Sequence, residues 1–171
     1  MGTALSITLI IILIDQLSKN FILQNFAIGE SITIINNFFF ITHVKNSGAA
    51  WGFLSDKAWG ISILTLISIV VSAFLIYLIY INQFRVFRNL IAIILGGSIG
   101  NLIDRMRYNY VVDFLSFKFG EYYFPVFNIA DISIVIGGIL IVLYFLTHQE
   151  ILDKIAIKKK NKNTEKVENK K

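Results

Sequence analysis

The run 59–81 carries no acidic or basic side chain, and it is long enough to cross hydrocarbon as a helix, which takes about 20 residues. Three further apolar blocks, 1–23, 90–103 and 129–146, reach that length only when their polar ends are included. Inside a bilayer every backbone N–H and C=O must be paired within its own segment or a closed sheet, so apolar runs of this length become helices. The chain of 171 residues is therefore expected to be a mainly α membrane protein, one integral domain over 1–150, with four transmembrane helices at about 4–23, 59–81, 89–105 and 128–147. Composition agrees, because 56% hydrophobic residues and a mean hydropathy of +0.68 exceed what soluble domains usually show. The first block has no basic residues before it and no small-x-small site after it, so it is read as a retained span and not as a cleaved leader.

Basic residues orient the spans. Arg85 and Arg88 lie between the second and third blocks, and Lys154, Lys158, Lys159, Lys160, Lys162, Lys166, Lys170 and Lys171 follow the fourth. With four spans these two regions share a side, which the positive-inside rule makes cytoplasmic. Both termini are then cytoplasmic. Residues 151–171 read as a disordered basic tail that gives the chain most of its net charge of +5. So much lysine invites a nucleic-acid reading, but a topology signal facing membrane lipid accounts for it, and no nucleic-acid partner is expected. The absence of cysteine excludes thiol nucleophiles, disulfides, thiolate metal sites and lipidation of the chain on cysteine. The histidines are only His43 and His148.

Against this background four acids stand out. Asp15, Asp104, Asp113 and Asp131 lie in or against the apolar blocks, where an ionised carboxylate costs roughly 3 kcal/mol on insertion scales. The topology places all of them at the outer end: Asp15 and Lys19 late in helix 1, Asn101, Asp104 and Arg105 at the end of helix 3, Asn128 and Asp131 at the start of helix 4, and Asp113 in the joining segment. Asn101 and Asp104 are three apart, as are Asn128 and Asp131, so each pair shares a helix face. Asp15 and Lys19 are four apart, which suits an ion pair with Lys19 snorkelling outward. A structural reading, helix–helix hydrogen bonding, fits Asn101, Asp104 and Asn128. Asp113 and Asp131 have no basic residue at helical-pair spacing.

Gly97 and Gly100 allow a neighbouring backbone to approach helix 3. Ser62, Thr65, Ser68 and Ser72 form a hydroxyl stripe on helix 2 suited to packing, with Trp59, Tyr77 and Tyr80 as interfacial anchors. The segment 28–56 holds β-branched and aromatic runs at 31–35 and 38–44 around a turn at Asn36-Asn37, so a small extracytoplasmic β-sheet is expected there. Small residues from Asn46 through Gly48 to Gly52 suit close approach to a ligand or helix. The segment 106–127 is aromatic-rich, which marks the headgroup zone and puts Asp113 at the water–lipid boundary.

Several chemistries compete for these residues. A serine hydrolase at Gly97-Ser98-Ile99-Gly100 lacks a histidine at matching depth, so Ser98 is read as a packing residue. A divalent-cation lipid enzyme lacks its densely spaced acidic motif here and would have to assemble a site in space from Asp104, Asp113 and Asp131. An ion- or proton-coupled carrier would need polar residues along the spans, and helix 2 has no acid or base. A carboxylate dyad is the fourth: two aspartates near hydrocarbon share one proton, and together they activate water and protonate a peptide carbonyl without cysteine, histidine or metal.

The motifs decide among them by resemblance. Asp15-Gln16-Leu17-Ser18-Lys19, Asn46-Ser47-Gly48-Ala49-Ala50-Trp51-Gly52, Gly97-Ser98-Ile99-Gly100-Asn101-Leu102-Ile103-Asp104-Arg105, Val111-Val112-Asp113-Phe114 and Phe124-Pro125-Val126-Phe127-Asn128-Ile129-Ala130-Asp131 occur in this order. Together they resemble the lipoprotein signal peptidase (signal peptidase II) family of bacterial membrane aspartic peptidases. The resemblance implies a catalytic dyad of Asp113 and Asp131, with Asp15, Lys19, Asn46, Gly48, Asn101, Asp104, Arg105, Asn128 and Ala130 shaping the site or holding substrate. It further implies cleavage of diacylated prolipoproteins before a lipidated cysteine at the outer leaflet of the cell membrane, with no cofactor and no metal. A monomer suffices, since one chain holds every motif.

Overall fold

A computed structural model describes residues 1–48 and 59–147. Ala49, Ala50, Trp51 and Gly52 of the second motif, His148 and the basic tail 151–171 lie outside the described residues. The four long helices are α1 (Gly2–Asn25), α2 (Gly60–Ile81), α3 (Arg85–Tyr108) and α4 (Ile129–Thr147), each long and apolar enough to cross a membrane. α3 begins four residues before its expected start and ends three after its expected end. Hydropathy marks where hydrocarbon begins, and helical propensity carries the backbone on through Arg85, Arg88 and Arg107 at the polar boundaries. α3 stops at Asn109, which takes the left-handed conformation at φ 60° and returns its N–H to Arg105 O at 3.1 Å.

Both outer segments contribute to one antiparallel sheet in the order β1-β2-β3-β4, with β1 at Ser31–Ile35, β2 at Phe39–Asn46, β3 at Val111–Phe119 and β4 at Tyr122–Tyr123. The turn between β1 and β2 places Asn37 at φ 55°, a conformation asparagine tolerates. The sequence suggests strands only for the first segment. The aromatics of the second segment, read there as a headgroup signal, also stack within the sheet region: Phe39 and Phe117 at 4.8 Å, and Phe117 and Phe127 at 5.7 Å. Such pairs stabilise a sheet beyond the area they bury.

α3 is the hub of the bundle and packs against α1, α2 and α4. At the end away from the sheet, Ala4, Leu75, Ile79, Ile91, Ala92 and Leu95 form an apolar cluster. At the sheet end Ile22, Val112 and Phe114 tie α1 to β3. Leu13, Leu66, Phe74 and Leu143 are exposed, while Asp15, Lys19, Asn101, Asp104, Asp113 and Asn128 are buried. That inversion of the soluble pattern suits a molecule whose solvent is lipid. The hydroxyl stripe on α2 divides: Thr65 and Ser68 donate to the carbonyls of their own helix, Ile61 O and Leu64 O, whereas Ser72 reaches Ser98 of α3 at 3.0 Å.

Candidate active site

Asn128 immediately precedes α4, and Asp131 is the third residue inside it. The Asp131 N–H donates to Asn128 Oδ1 at 3.0 Å, and the Asn128 N–H donates to Asp131 Oδ2 at 3.1 Å. This is a capping box in which asparagine and aspartate satisfy two of the free N–H groups at the helix start. The Asn128 oxygen is thereby committed, so its side-chain NH2 must point the other way. It donates to Asp113 Oδ1 at 2.7 Å and to Asn101 Oδ1 at 3.1 Å.

Asp113 stands near the start of β3, opposite Val44 of β2, and only 2% of it is exposed. Its second oxygen accepts from Asn46 Nδ2 at 2.8 Å, and Gly48 N donates to Asn46 Oδ1 at 3.0 Å, which sets the orientation of that amide. Asp131 Oδ1 in turn accepts from Asn101 Nδ2 at 2.8 Å. Each of the four carboxyl oxygens of Asp113 and Asp131 thus has one donor. Among the described residues neither carboxylate is paired with a lysine or arginine. Burial, and then the neighbouring Asp131, push the Asp113 carboxyl up from 3.8 to about 7, against the opposing pull of the Asn46 and Asn128 amides and of Lys19. Such a group holds a proton part of the time at neutral pH.

Behind the carboxyls lies an ionic cluster. Lys19 Nζ sits 2.9 Å from Asp15 Oδ2, 3.1 Å from Asp104 Oδ2 and 2.8 Å from Asn101 Oδ1. The i,i+4 pair of Asp15 with Lys19 forms as its spacing suggests, but Lys19 does not snorkel: it is 1% exposed and points inward. Three acceptors for its three N–H groups make that burial tolerable. Asp104, read from spacing as sharing a packing face with Asn101, meets Lys19 of α1 as Asn101 does, and it also accepts from Val112 N at 3.0 Å, which joins α1, α3 and β3. Asp15 Oδ1 accepts from Ala130 N at 2.9 Å, the third free N–H at the start of α4.

Gly100 lets this contact form, since a Cβ there would lie 2.5 Å from Asp15 Oδ2. A Cβ on Gly97 would collide with Ala130 O. One participant is not evident from the sequence: Gln16 Nε2 reaches Asp15 Oδ2 at 3.2 Å, Asp104 Oδ1 at 3.0 Å and Gly100 O at 3.1 Å. Its place beside Asp15 is the only sequence signal, because its other partners lie on another helix.

The two carboxyls border a cavity of about 690 Å³. Asn46, Gly48, Asn101 and Arg105 line its polar side, and Phe124, Pro125, Val126, Phe127, Ile132, Val135 and Ile136 its apolar side. Arg105 donates from Nη1 to Ser68 Oγ at 3.3 Å, and its Nε has no partner among the described residues. All eleven residues singled out from the sequence come together at the sheet end of the bundle, lining the cavity or in the hydrogen-bonded cluster behind it. Ser98 is bonded to Ser72, and His43 Nδ1 lies 2.9 Å from Phe26 O, so neither forms a hydrolytic pair with the other. Among the described residues no three His, Cys, Asp or Glu side chains are grouped as a metal site.

The chain is 43% identical to a lipoprotein signal peptidase of Listeria welshimeri over 140 residues, 81% of this chain and 89% of that one. It is 42% identical to one of Bacillus pumilus over 141 residues, 82% and 90% of the two chains. It also superimposes on a solved bacterial membrane enzyme with a TM-score of 0.77 and 36% identity, covering 87% of this chain and 90% of the other. A second solved bacterial membrane enzyme gives a TM-score of 0.74 and 37% identity, over 85% and 94% of the chains. The family model of signal peptidase (SPase) II matches residues 7–147. With four membrane-length helices and a family match across nearly all of the described residues, this multi-pass bacterial membrane protein belongs to the signal peptidase II family, a family of peptidases.

Proposed function

We propose that the chain removes signal peptides from diacylglyceryl-modified prolipoproteins, cutting before the lipidated cysteine, with Asp113 and Asp131 as the pair that activates water. The observation that carries this reading is the Asn128 bridge: one asparagine donates to both carboxyls at the wall of an apolar cavity, and neither carboxyl is neutralised by a bonded cation among the described residues. Two acids held so close do not both ionise readily, so the pair keeps one proton near neutral pH. The ionised member takes a proton from water as the water oxygen attacks the peptide carbonyl carbon. The protonated member gives its proton to the carbonyl oxygen, and the reverse transfers release the amine.

The apolar wall of Phe124, Val126, Ile132 and Val135 suits an acyl-bearing substrate that arrives from the bilayer. The sheet and the carboxyl cluster lie at the end of the bundle opposite Arg85 and Arg88. The positive-inside rule then supports an active site at the outer leaflet and cytoplasmic termini. One chain supplies every residue of the site, which supports a monomer bathed in membrane lipid as the working unit.

The test is cleavage by the bilayer-embedded protein of a diacylated prolipopeptide and of its unlipidated twin, each with and without EDTA. Cleavage before the lipidated cysteine, indifferent to chelator and much slower on the twin, is the expected result. Loss of cleavage with EDTA, or equal rates on both peptides, contradicts the reading.

A further inference from the structure

Asp113 and Asp131 accept the same number of hydrogen bonds, two apiece, so donor count does not decide which of them carries the negative charge. Position does. Asp131 lies in the first turn of α4 and accepts a backbone N–H there, and a helix N-terminus favours an anion. Its other donor, Asn101 Nδ2, belongs to an amide whose oxygen is held by the Lys19 ammonium at 2.8 Å. A cation on the acceptor end of an amide polarises its N–H bonds and strengthens their donation, most of all where water is excluded. Asp113 has no helix terminus behind it, stands on a strand, and is more enclosed than Asp131. Burial without a local dipole favours the neutral acid.

We propose that Lys19 is a positioning residue for catalysis: acting through Asn101, it holds Asp131 ionised, so that Asp131 takes the proton from water and Asp113 donates to the peptide carbonyl. This rests on the dyad reading above. In the addition step the water oxygen bonds to the carbonyl carbon, one water proton passes to Asp131, and the Asp113 proton passes to the carbonyl oxygen. As the C–N bond breaks, Asp131 gives its proton to the departing nitrogen and Asp113 recovers one from a hydroxyl of the intermediate. The pair returns to its starting state, with water consumed and an acid and an amine formed. Lys19 lies behind Asn101, outside the lining of the cavity that the two carboxyls border, and faces a separate pocket with Gln16 and Asp104.

The charged and titratable groups around Asp131 are Asp113 on β3, Arg105 on α3 and, beyond Asn101, Lys19 on α1 with its partners Asp15 and Asp104. Arg105 shares the cavity wall with both carboxyls and interacts more strongly with Asp131 than with Asp113, so it favours charge on Asp131 alongside Lys19. Asp15 and Asp104 are each bonded to Lys19, and their remaining bonds go to Gln16, to Ala130 N beside Asp131 and to Val112 N beside Asp113, with none to either carboxyl of the pair. Among side-chain hydrogen bonds the link from α1 to the Asp131 carboxyl therefore runs through Lys19 and Asn101. Lys19 also draws on Asp113 through space, so the selection of Asp131 rests on the Asn101 hydrogen bond and the start of α4.

The experiment is the pH profile of kcat and KM on a diacylated prolipopeptide for wild type, Lys19→Met, Lys19→Arg and Asn101→Ala, with Asp113→Asn and Asp131→Asn assayed alongside. In Lys19→Met the acid limb of kcat moves up by about one pH unit, KM stays within about twofold, and Lys19→Arg restores the limb in part. Should Lys19→Met not fold, Asn101→Ala tests the link: it leaves Lys19 paired with both aspartates and removes the donor to Asp131, together with the acceptor of Asn128 Nδ2. Its acid limb must move in the same direction. A structural role alone lowers kcat equally at every pH and leaves the limb in place; an unmoved limb in the variants that fold overturns the proposal. Failure of the dyad reading is separate and visible in the same assay, since it requires Asp113→Asn or Asp131→Asn to keep cutting.

Discussion

Asn128 and Asp131 hold each other by reciprocal hydrogen bonds, side chain to backbone in both directions, at 3.0 and 3.1 Å. That embrace fixes which end of the Asn128 amide faces Asp113. Alanine at 128 removes a donor from Asp113 and the cap from α4 in one step. Asp113 becomes charged as it gives its proton to the carbonyl oxygen, and a hydrogen bond to a charged group contributes about 1.5–3 kcal/mol, so kcat is expected to fall by roughly 10- to 100-fold. Asn128 is buried and does not line the cavity, so KM should change little. Steady-state kinetics on Asn128→Ala check this, and a raised KM with unchanged kcat would place Asn128 with substrate binding instead.

The Asp113 carboxyl, at about 7 and raised by burial first and Asp131 second, sets the alkaline behaviour. Because its value is raised in the folded protein, the stability it contributes is complete below the unfolded value of 3.8 and is lost as pH rises to about 7. In the proposed mechanism the pair loses its shared proton over the upper part of that window, so kcat/KM should decline with an apparent midpoint near 7. The Asn46 hydrogen bond favours the ionised form, so Asn46→Ala should move that midpoint to higher pH. A midpoint that stays put or moves down contradicts the assignment.

Gly97 and Gly138 give a matched pair for packing. A methyl on Gly97 meets the backbone oxygen of Ala130, with Ile134 Cγ1 at 2.9 Å, whereas a methyl on Gly138 meets nothing within 4 Å. Backbone cannot step aside as a side chain can, so Gly97→Ala is expected to cost about 1–3 kcal/mol. Gly138→Ala should leave thermal unfolding in detergent unchanged. Equal Tm values for the two variants would mean that α3 and α4 do not depend on this contact.

Much of this arrangement is legible in the chain, and the reason differs residue by residue. The spans are legible because hydrocarbon imposes a length and a composition, and Asp15 with Lys19 because partners on one helix leave a spacing. The outer position expected for all four acids follows from topology, and the structure gathers them at one end of the bundle. The partnership of Lys19 with Asp104 and with Asn101 has no sequence signature, because it depends on how α1 is turned against α3. For the same reason Lys19 reads as a snorkelling side chain and Gln16 goes unnoticed. β3 escapes detection because its first four residues are all buried, so it lacks the alternation that marks a half-exposed strand.

Asp104 is the residue whose loss should be felt most in stability. It is fully buried, neutralises Lys19 and accepts the Val112 N–H. Removing one partner of a buried ion pair costs about 3–5 kcal/mol, so Asp104→Ala should lower Tm markedly and reduce the yield of folded protein. A variant with wild-type Tm but no activity would move Asp104 from support into the chemistry.

The proposed mechanism needs Asp113 and Asp131 to act together on water. Its most direct measurement is the rate at which folded Asp113→Asn and Asp131→Asn proteins, each matched to wild type by Tm, cut a diacylated prolipopeptide. Each substitution keeps size and removes the ability to exchange a proton, so both are expected to lose cleavage by at least about 1,000-fold with KM little changed. Either variant folding normally and cutting at near the wild-type rate would contradict the account.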